Sequence, residues 1–144
     1  MALSDADQPV HASCVAWQSQ GVLITGASGA GKSALALILM GFGCDLVADD
    51  RVCLRRAGDR LLATAPDTTQ GLIEARGIGI LQAQPRQQAE IVLMVDLDQT
   101  SAERLPPRRK VTVLGLERPL IYGVTGPHFA PAIIQILKAG WSDR

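Results

Sequence analysis

The chain has 144 residues, enough for one domain with a real core and too few for two. Hydrophobic residues make up 47% and charged residues 19%, a globular balance that excludes a disordered chain. Fourteen basic residues offset fourteen acidic ones and aromatics are only 3%, so neither a polybasic field nor a base-stacking surface points to nucleic acid or an anionic membrane.

Met1 to Pro9 is polar and acidic, unlike a secretory leader, and reads as a flexible segment (1–9) ahead of a single domain over 10–140. Val10 to Trp17 reads as a strand, with Gly21 to Thr25 as its hairpin partner across Ser19-Gln20-Gly21. Next comes Gly26-Ala27-Ser28-Gly29-Ala30-Gly31-Lys32-Ser33, a full match to G-x-x-x-x-G-K-[ST] between an apolar strand and a helix. Glycines let backbone N–H groups turn inward around phosphate oxygens, and the helix start adds its positive dipole end. Lys32 would neutralise β- and γ-phosphates and the Ser33 hydroxyl would take a Mg²⁺ position, so the motif implies a bound nucleoside triphosphate. The helix over 31–42 carries Leu35, Leu37, Ile38 and Leu39, apolar nearly all round, and reads as buried on most sides.

Asp45 to Arg55 reads as one strand turned back through Ala57–Arg60 into Leu61–Ala65, so a hairpin, not a crossover, is expected after the first helix. Within it, Asp49 and Asp50 end the apolar run Leu46-Val-Ala48. Such a pair beside a phosphate loop fits a Mg²⁺-binding or proton-accepting carboxylate, and alone would equally mark a strand-ending turn. Neighbouring strand residues face opposite ways, so the two cannot share one role. Ile73 to Gln82 reads as a further strand, placing Glu74 and Arg76 on one face: a second Mg²⁺ ligand with a charge-stabilising cation, or an ordinary exposed ion pair. Ile91 to Leu97 is an unbroken apolar run typical of a buried strand, followed by a polar, basic loop over 101–110. Val111–Leu114 and Leu120–Val124 read as strands, and Ala130–Ala139 as a final helix. Cys14, Cys44 and Cys53 form no C-x-x-C pair and read as reduced thiols, and no apolar stretch is long enough to span a bilayer; a soluble cytoplasmic protein is expected.

Taken together, Gly26–Ser33, Leu46-Val-Ala-Asp-Asp50 and Glu74-Ala-Arg-Gly-Ile-Gly-Ile80 resemble the catalytic domain of HPr kinase/phosphorylase, over about residues 10 to 100. The resemblance implies an α/β fold like the P-loop domain of phosphoenolpyruvate carboxykinase, with a mixed or antiparallel sheet and flanking helices. It implies ATP and Mg²⁺ as cofactors, a serine of the phosphocarrier HPr as acceptor, and hexameric assembly. Residue by residue, Asp50 matches the proton acceptor, Asp49 a neighbouring metal partner, and Glu74 the second Mg²⁺ ligand. Arg76 lies in the family's catalytic stretch, His11 matches an active-site histidine, and Arg104 matches a further catalytic arginine. Read without the family, a lone histidine opening a strand is structural. Where the family carries Pro-Val-Arg-Pro-Gly-Arg, this chain reads Gly123-Val-Thr-Gly-Pro-His128, without either arginine that phosphorolysis would use. The chain resembles a short form, with the catalytic domain alone. A small-molecule kinase or a non-catalytic nucleotide sensor would share the same loop.

Overall fold

A computed structural model describes residues 9–143. The segment expected to be flexible lies outside the described residues except for Pro9, which pairs with Cys53 in the short strand β1 (Pro9–Val10). β2 (Ala12–Trp17) and β3 (Gln20–Thr25) form the first hairpin. Trp17 pairs with Gln20, so the turn is Gln18-Ser19, with Gln18 at φ 56. The helix α1 (Lys32–Gly41) follows, then β4 (Asp45–Ala48) and the hairpin β5–β6 (Val52–Ala57, Arg60–Thr64). A second hairpin, β7–β8 (Leu72–Ala75, Gly79–Gln82), precedes the long strand β9 (Ala89–Thr100). The hairpin β10–β11 (Arg109–Val113, Leu116–Gly123) and α2 (Phe129–Ala139) complete the chain.

Nine strands make one sheet, in the order β1-β5-β6-β9-β3-β2-β4, with β11 beside β9 and β10 outside β11. β9 runs parallel to β3 and to β11, and the remaining pairs are antiparallel. This is the mixed α/β sheet with helices that the resemblance implies.

Three local expectations are overturned. The run 45–55 is not one strand: β4 pairs with β2 at one edge, while β5 joins β6 and β1 at the far side. Asp50 at φ 68 breaks the extended chain between them. Because β3 and β4 are each antiparallel to β2, they point the same way, and α1 is a crossover with one strand inserted between its ends. The run 73–82 is likewise two strands. Gly77 (φ 84) and Gly79 (φ 143) sit in the left-handed region and Ile78 N–H closes a turn on Ala75 O at 2.9 Å, so Arg76 lies in a hairpin turn, not on a strand face beside Glu74. As expected, α1 is covered on most sides, with Leu35, Ala36 and Leu39 buried and Leu37 and Met40 half-buried, and it leaves Ile38 exposed.

The period-two alternation of the central strands divides two cores. Val22 and Ile24 of β3 and Leu93 and Val95 of β9 face α1 and α2, packing on Leu35, Leu39, Ile133 and Leu137. Leu23 and Met94 point the other way, against Val47, Leu54, Leu61 and Val113. There the sheet curls, bringing β5 back against β2 and β6 against β4. The pairings Thr25 with Asp96, Ala12 with Thr25, and Cys14 with Ala48 bring three chain ends to one edge of the sheet. His11, the 26–33 loop and Asp49-Asp50 therefore meet outside the carboxyl ends of the parallel strands, where open α/β sheets bind ligands.

Candidate active site

The loop leaves β3 at Thr25 and enters α1 through Gly31, whose φ of 101 and ψ of 21 only glycine adopts freely. Ala30 N–H bonds Ala27 O at 3.0 Å and Leu35 N–H bonds Gly31 O at 3.0 Å, closing the loop onto the first helical turn. Lys32, almost fully buried, folds back over it: Nζ donates to Gly26 O at 2.8 Å and to Ala27 O at 3.1 Å. A Cβ added at Gly29 or Gly31 would meet no atom within 4 Å, so the space beside both is open. At Gly26 the reverse holds. Its Cβ would lie 3.0 Å from Ala30 Cβ and 3.3 Å from Leu97 Cβ, which makes this glycine a packing requirement.

The two aspartates part company. Asp49 is buried, and its Oδ1 accepts from Ser33 Oγ and from Ser13 Oγ, each at 2.7 Å, while Oδ2 accepts the Glu74 backbone N–H at 3.2 Å. Three donors offset the cost of burying its charge. One carboxylate thus joins β2, α1 and β7. Asp50 is exposed, and its Oδ1 lies 2.8 Å from His11 Nε2. The two part because Asp50, at φ 68, leaves the extended path of β4, and not because strand residues alternate.

A cavity of about 450 Å³ opens over the loop, and His11, Ser28, Gly29, Gly31, Lys32, Ser33, Asp50, Glu74 and Arg76 all line it. Asp49 stands behind it and reaches it through Ser33. Arg104 is exposed in the 101–108 segment and is not among the lining residues; its neighbour Leu105 lines a separate cavity of about 560 Å³ against α2. Sequence reading missed Ser13, which is fully buried, and Asp98, whose Oδ1 accepts the Ala27 N–H at 2.9 Å and whose own N–H donates to Asp96 Oδ1 at 2.9 Å. The signal for Asp98 was legible: Ile91-Val-Leu-Met-Val-Asp96-Leu-Asp98 is an apolar strand ending in acids. For Ser13 no local signal exists, because only the β2–β4 pairing brings it to Asp49.

These residues fit a triphosphate with a divalent cation. The open cradle, the lysine and the helix start suit phosphate oxygens. Ser33, whose O–H donates a hydrogen bond to Asp49, keeps lone pairs for a cation, and Glu74 adds a carboxylate on the cavity wall. No group of three or more His, Cys, Asp or Glu side chains forms a metal cage among the described residues. A hard cation that keeps its waters and takes one or two protein oxygens beside substrate phosphates needs none.

Fold and site together give a glycine-rich loop between a central strand and a helix of a mixed sheet, opening on one cavity. Residues 3–117 match the family model for the HPr serine kinase C-terminal domain. HPr kinase/phosphorylase of Chlorobium chlorochromatii is 37% identical over 128 residues, covering 79% of this chain and 38% of that protein. The enzyme of the same name from Geobacillus kaustophilus is 40% identical over 116 residues, covering 75% and 36%. The chain therefore spans well under half the length of these curated relatives. The solved structure of the Hpr(Ser) kinase/phosphatase from Coxiella burnetii superposes with a TM-score of 0.73 at 30% identity, covering 91% of this chain and 93% of that one. The chain belongs to the HPr serine kinase family, matching its C-terminal domain.

Proposed function

We propose that this domain transfers the γ-phosphoryl group of ATP to a serine hydroxyl of an HPr-type phosphocarrier protein. The observation that carries the reading is the shared cavity: a phosphate cradle with its lysine and an accessible carboxylate, Asp50, line one space. In the reaction the Pγ–O bond to ADP breaks as a serine oxygen attacks in line, and the serine proton leaves to a base. Asp50 is that base. His11 occupies its Oδ1, fixing the carboxylate, while Oδ2 has no hydrogen-bond partner among the described residues. Lys32 exchanges the carbonyls of Gly26 and Ala27 for phosphate oxygens, and Arg76 adds positive charge at the wall. Ser33 and Glu74 would hold Mg²⁺, which supplies charge neutralisation across the β- and γ-phosphates. Asp49 keeps Ser33 in place. Positioning and electrostatics supply the acceleration.

Openness at the acceptor position favours a protein over a small metabolite. The side chains of His11 and Asp50 are 55% and 67% exposed, whereas a small-molecule kinase encloses its acceptor. The stretch 123–128 lines no part of this cavity among the described residues and offers no arginine, so the reading is of the kinase direction and leaves the phosphorolytic reverse reaction open.

The test is single-turnover transfer from labelled ATP to purified HPr. Asp50→Asn keeps an acceptor for His11 and cannot take a proton. We expect unchanged nucleotide affinity by calorimetry and transfer slowed by about 10²-fold or more, the scale of general-base loss. Unchanged transfer in that variant removes Asp50 from the mechanism. Wild-type protein that binds ATP and never labels HPr supports the nucleotide-sensing alternative.

A further inference from the structure

Pro106 and Pro107 offer no backbone N–H to a sheet, and β10 starts only at Arg109, which pairs with Leu120. β11 runs on to Gly123, so Ile121, Tyr122 and Gly123 have no β10 residue beside them. The cavity of about 560 Å³ lies at this uncovered end, walled by the segment 105–108 and by Phe129, Ala132 and Trp141. It shares no lining residue with the cavity over the 26–33 loop.

Its walls are mostly apolar and its charge is of one sign. Arg108, Arg109, Lys110 and His128 line it, and among the described residues no aspartate or glutamate does. Arg108 is already engaged: its guanidinium stacks on Trp141, 4.6 Å from the ring centroid, and donates to Ser142 O at 2.9 Å. Lys110 is exposed to water. Arg109 differs. It is half-buried, with its guanidinium 4.1 Å from the centroid of the Tyr122 ring, and among the described residues no carboxylate or carbonyl accepts its N–H groups. Stacking fixes the plane of a guanidinium and leaves its fork of donors unused. A second polar atom here also lacks a partner: Ser101 lines the cavity, and its Oγ is buried without a hydrogen bond among the described residues. Buried polar groups are paired as a rule, so two such groups in one cavity call for a ligand. α2 opens onto the same space through His128 and Phe129 with no side-chain cap, adding its positive end.

We propose that this cavity binds a small amphipathic carboxylate, its carboxylate forked on Arg109 and its apolar body against Leu105, Phe129 and Trp141. The one unpaired, half-buried cation sets the charge. It matches a single negative charge, whereas a phosphate dianion would bring a second one against apolar walls. The volume is that of a metabolite-sized pocket. The site stands whether or not the domain is a kinase.

The probe is hydrocinnamate, followed through the indole N–H signals of Trp141 and Trp17 in NMR spectra of the full chain, assigned with Trp141→Phe. Trp17 packs against Gly43 and Lys138, outside the cavity, and serves as the internal control. We expect a saturable shift of Trp141 with Trp17 unmoved, and binding of the neutral hydrocinnamyl alcohol weaker by tenfold or more. Inorganic phosphate should give no saturable shift. Arg109→Met keeps the apolar stem and should lose tenfold or more in hydrocinnamate affinity, with ATP affinity unchanged. Arg109→Lys keeps the charge without the fork and should fall between. Equal binding of acid and alcohol overturns the proposal and needs no variant. Full hydrocinnamate affinity in Arg109→Met overturns it too. Phosphate that binds as tightly as hydrocinnamate makes this a plain anion site and refutes the amphipathic ligand. A Trp141 signal that hydrocinnamate never moves ends the proposal. If, in addition, the particle mass in light scattering falls in Arg109→Met, the cavity belongs to contacts between copies.

Discussion

Asp49 shows how one side chain can organise a site without touching the cavity. Its carboxylate is nearly fully buried with three donors aimed at it, from Ser13, Ser33 and the Glu74 backbone. Removing it orphans all three, and Ser13 has no access to water at 0% exposure. Asp49→Ala should cost about 2–4 kcal/mol in urea unfolding, the scale for stripping a charged partner from buried donors. Ser13→Ala leaves the other two bonds intact and should cost about 1 kcal/mol. Equal losses would show that Asp49 has no hub role. Asp49→Ala should also weaken Mg²⁺-dependent ATP binding, by freeing Ser33, whereas Ser13→Ala should not. That both aspartates lie beside the 26–33 loop was legible, because an acidic pair ends the apolar run that follows it. Their different surroundings did not follow from strand alternation: β4 ends at Ala48, and Asp50 at φ 68 turns out of the extended path. What the sequence did not hold was the third partner: Ser13 lies far away in the chain and is joined only by strand pairing.

At the scale of elements, α1 and the β7–β8 hairpin behave differently for one reason: burial. α1 anchors Leu35 and Leu39 in the helix-side core, so the loop it starts is tied to the most protected part of the fold. The hairpin has only two strands and buries one side of β7. Two-stranded hairpins are marginal on their own. Yet this one carries Glu74 and Arg76. We expect the amides of Gly79 to Gln82 to exchange with deuterium at least about 100-fold faster than those of Val22–Ile24 and Leu93–Val95, following the gradient from exposed edges to core strands. Equal protection would mean that the hairpin is rigidly docked. The same element explains a misreading. Residues 73–82 are apolar enough to pass for one strand, and the alternation of Glu74 with Arg76 supported it. Gly77 and Gly79 carry the opposite message, since two left-handed positions with one residue between them reverse the chain. The β10–β11 turn hid for the converse reason: Leu114 at φ 51 takes a position where asparagine or aspartate usually signals the reversal.

At the scale of the whole molecule, local pattern gave strands and helices but not neighbours. The apolar run 91–97 announced a central strand, and β9 is indeed paired on both sides. That β4 would join β2, and β5 the far edge, depends on a single kink at Asp50 and on the two cores it lets form. Each of those cores holds a free thiol: Cys14 on the curled side and Cys44 on the helix side. Burial pushes both thiols up, Cys44 from 9.0 to about 11 with Asp45 adding to the effect, and Cys14 further still. At neutral pH both are protonated folded or unfolded, so neither alters stability. Above about pH 9 the unfolded chain releases these protons while the folded chain keeps them. The unfolded state then binds fewer protons, and stability must fall as pH rises. Over the window from pH 9 to 11 we expect the urea midpoint of the wild type to drop more steeply than that of a Cys14→Ala/Cys44→Ala variant. Below pH 8 the two curves should run parallel, offset by the small loss of packed volume. Parallel curves throughout would show that the thiolates are accommodated in the fold. Alkylation gives an independent reading, because the thiolate is the reactive form. In native protein at pH 8, Cys14 and Cys44 should resist iodoacetamide and react only on unfolding, at the rate at which both cores open together.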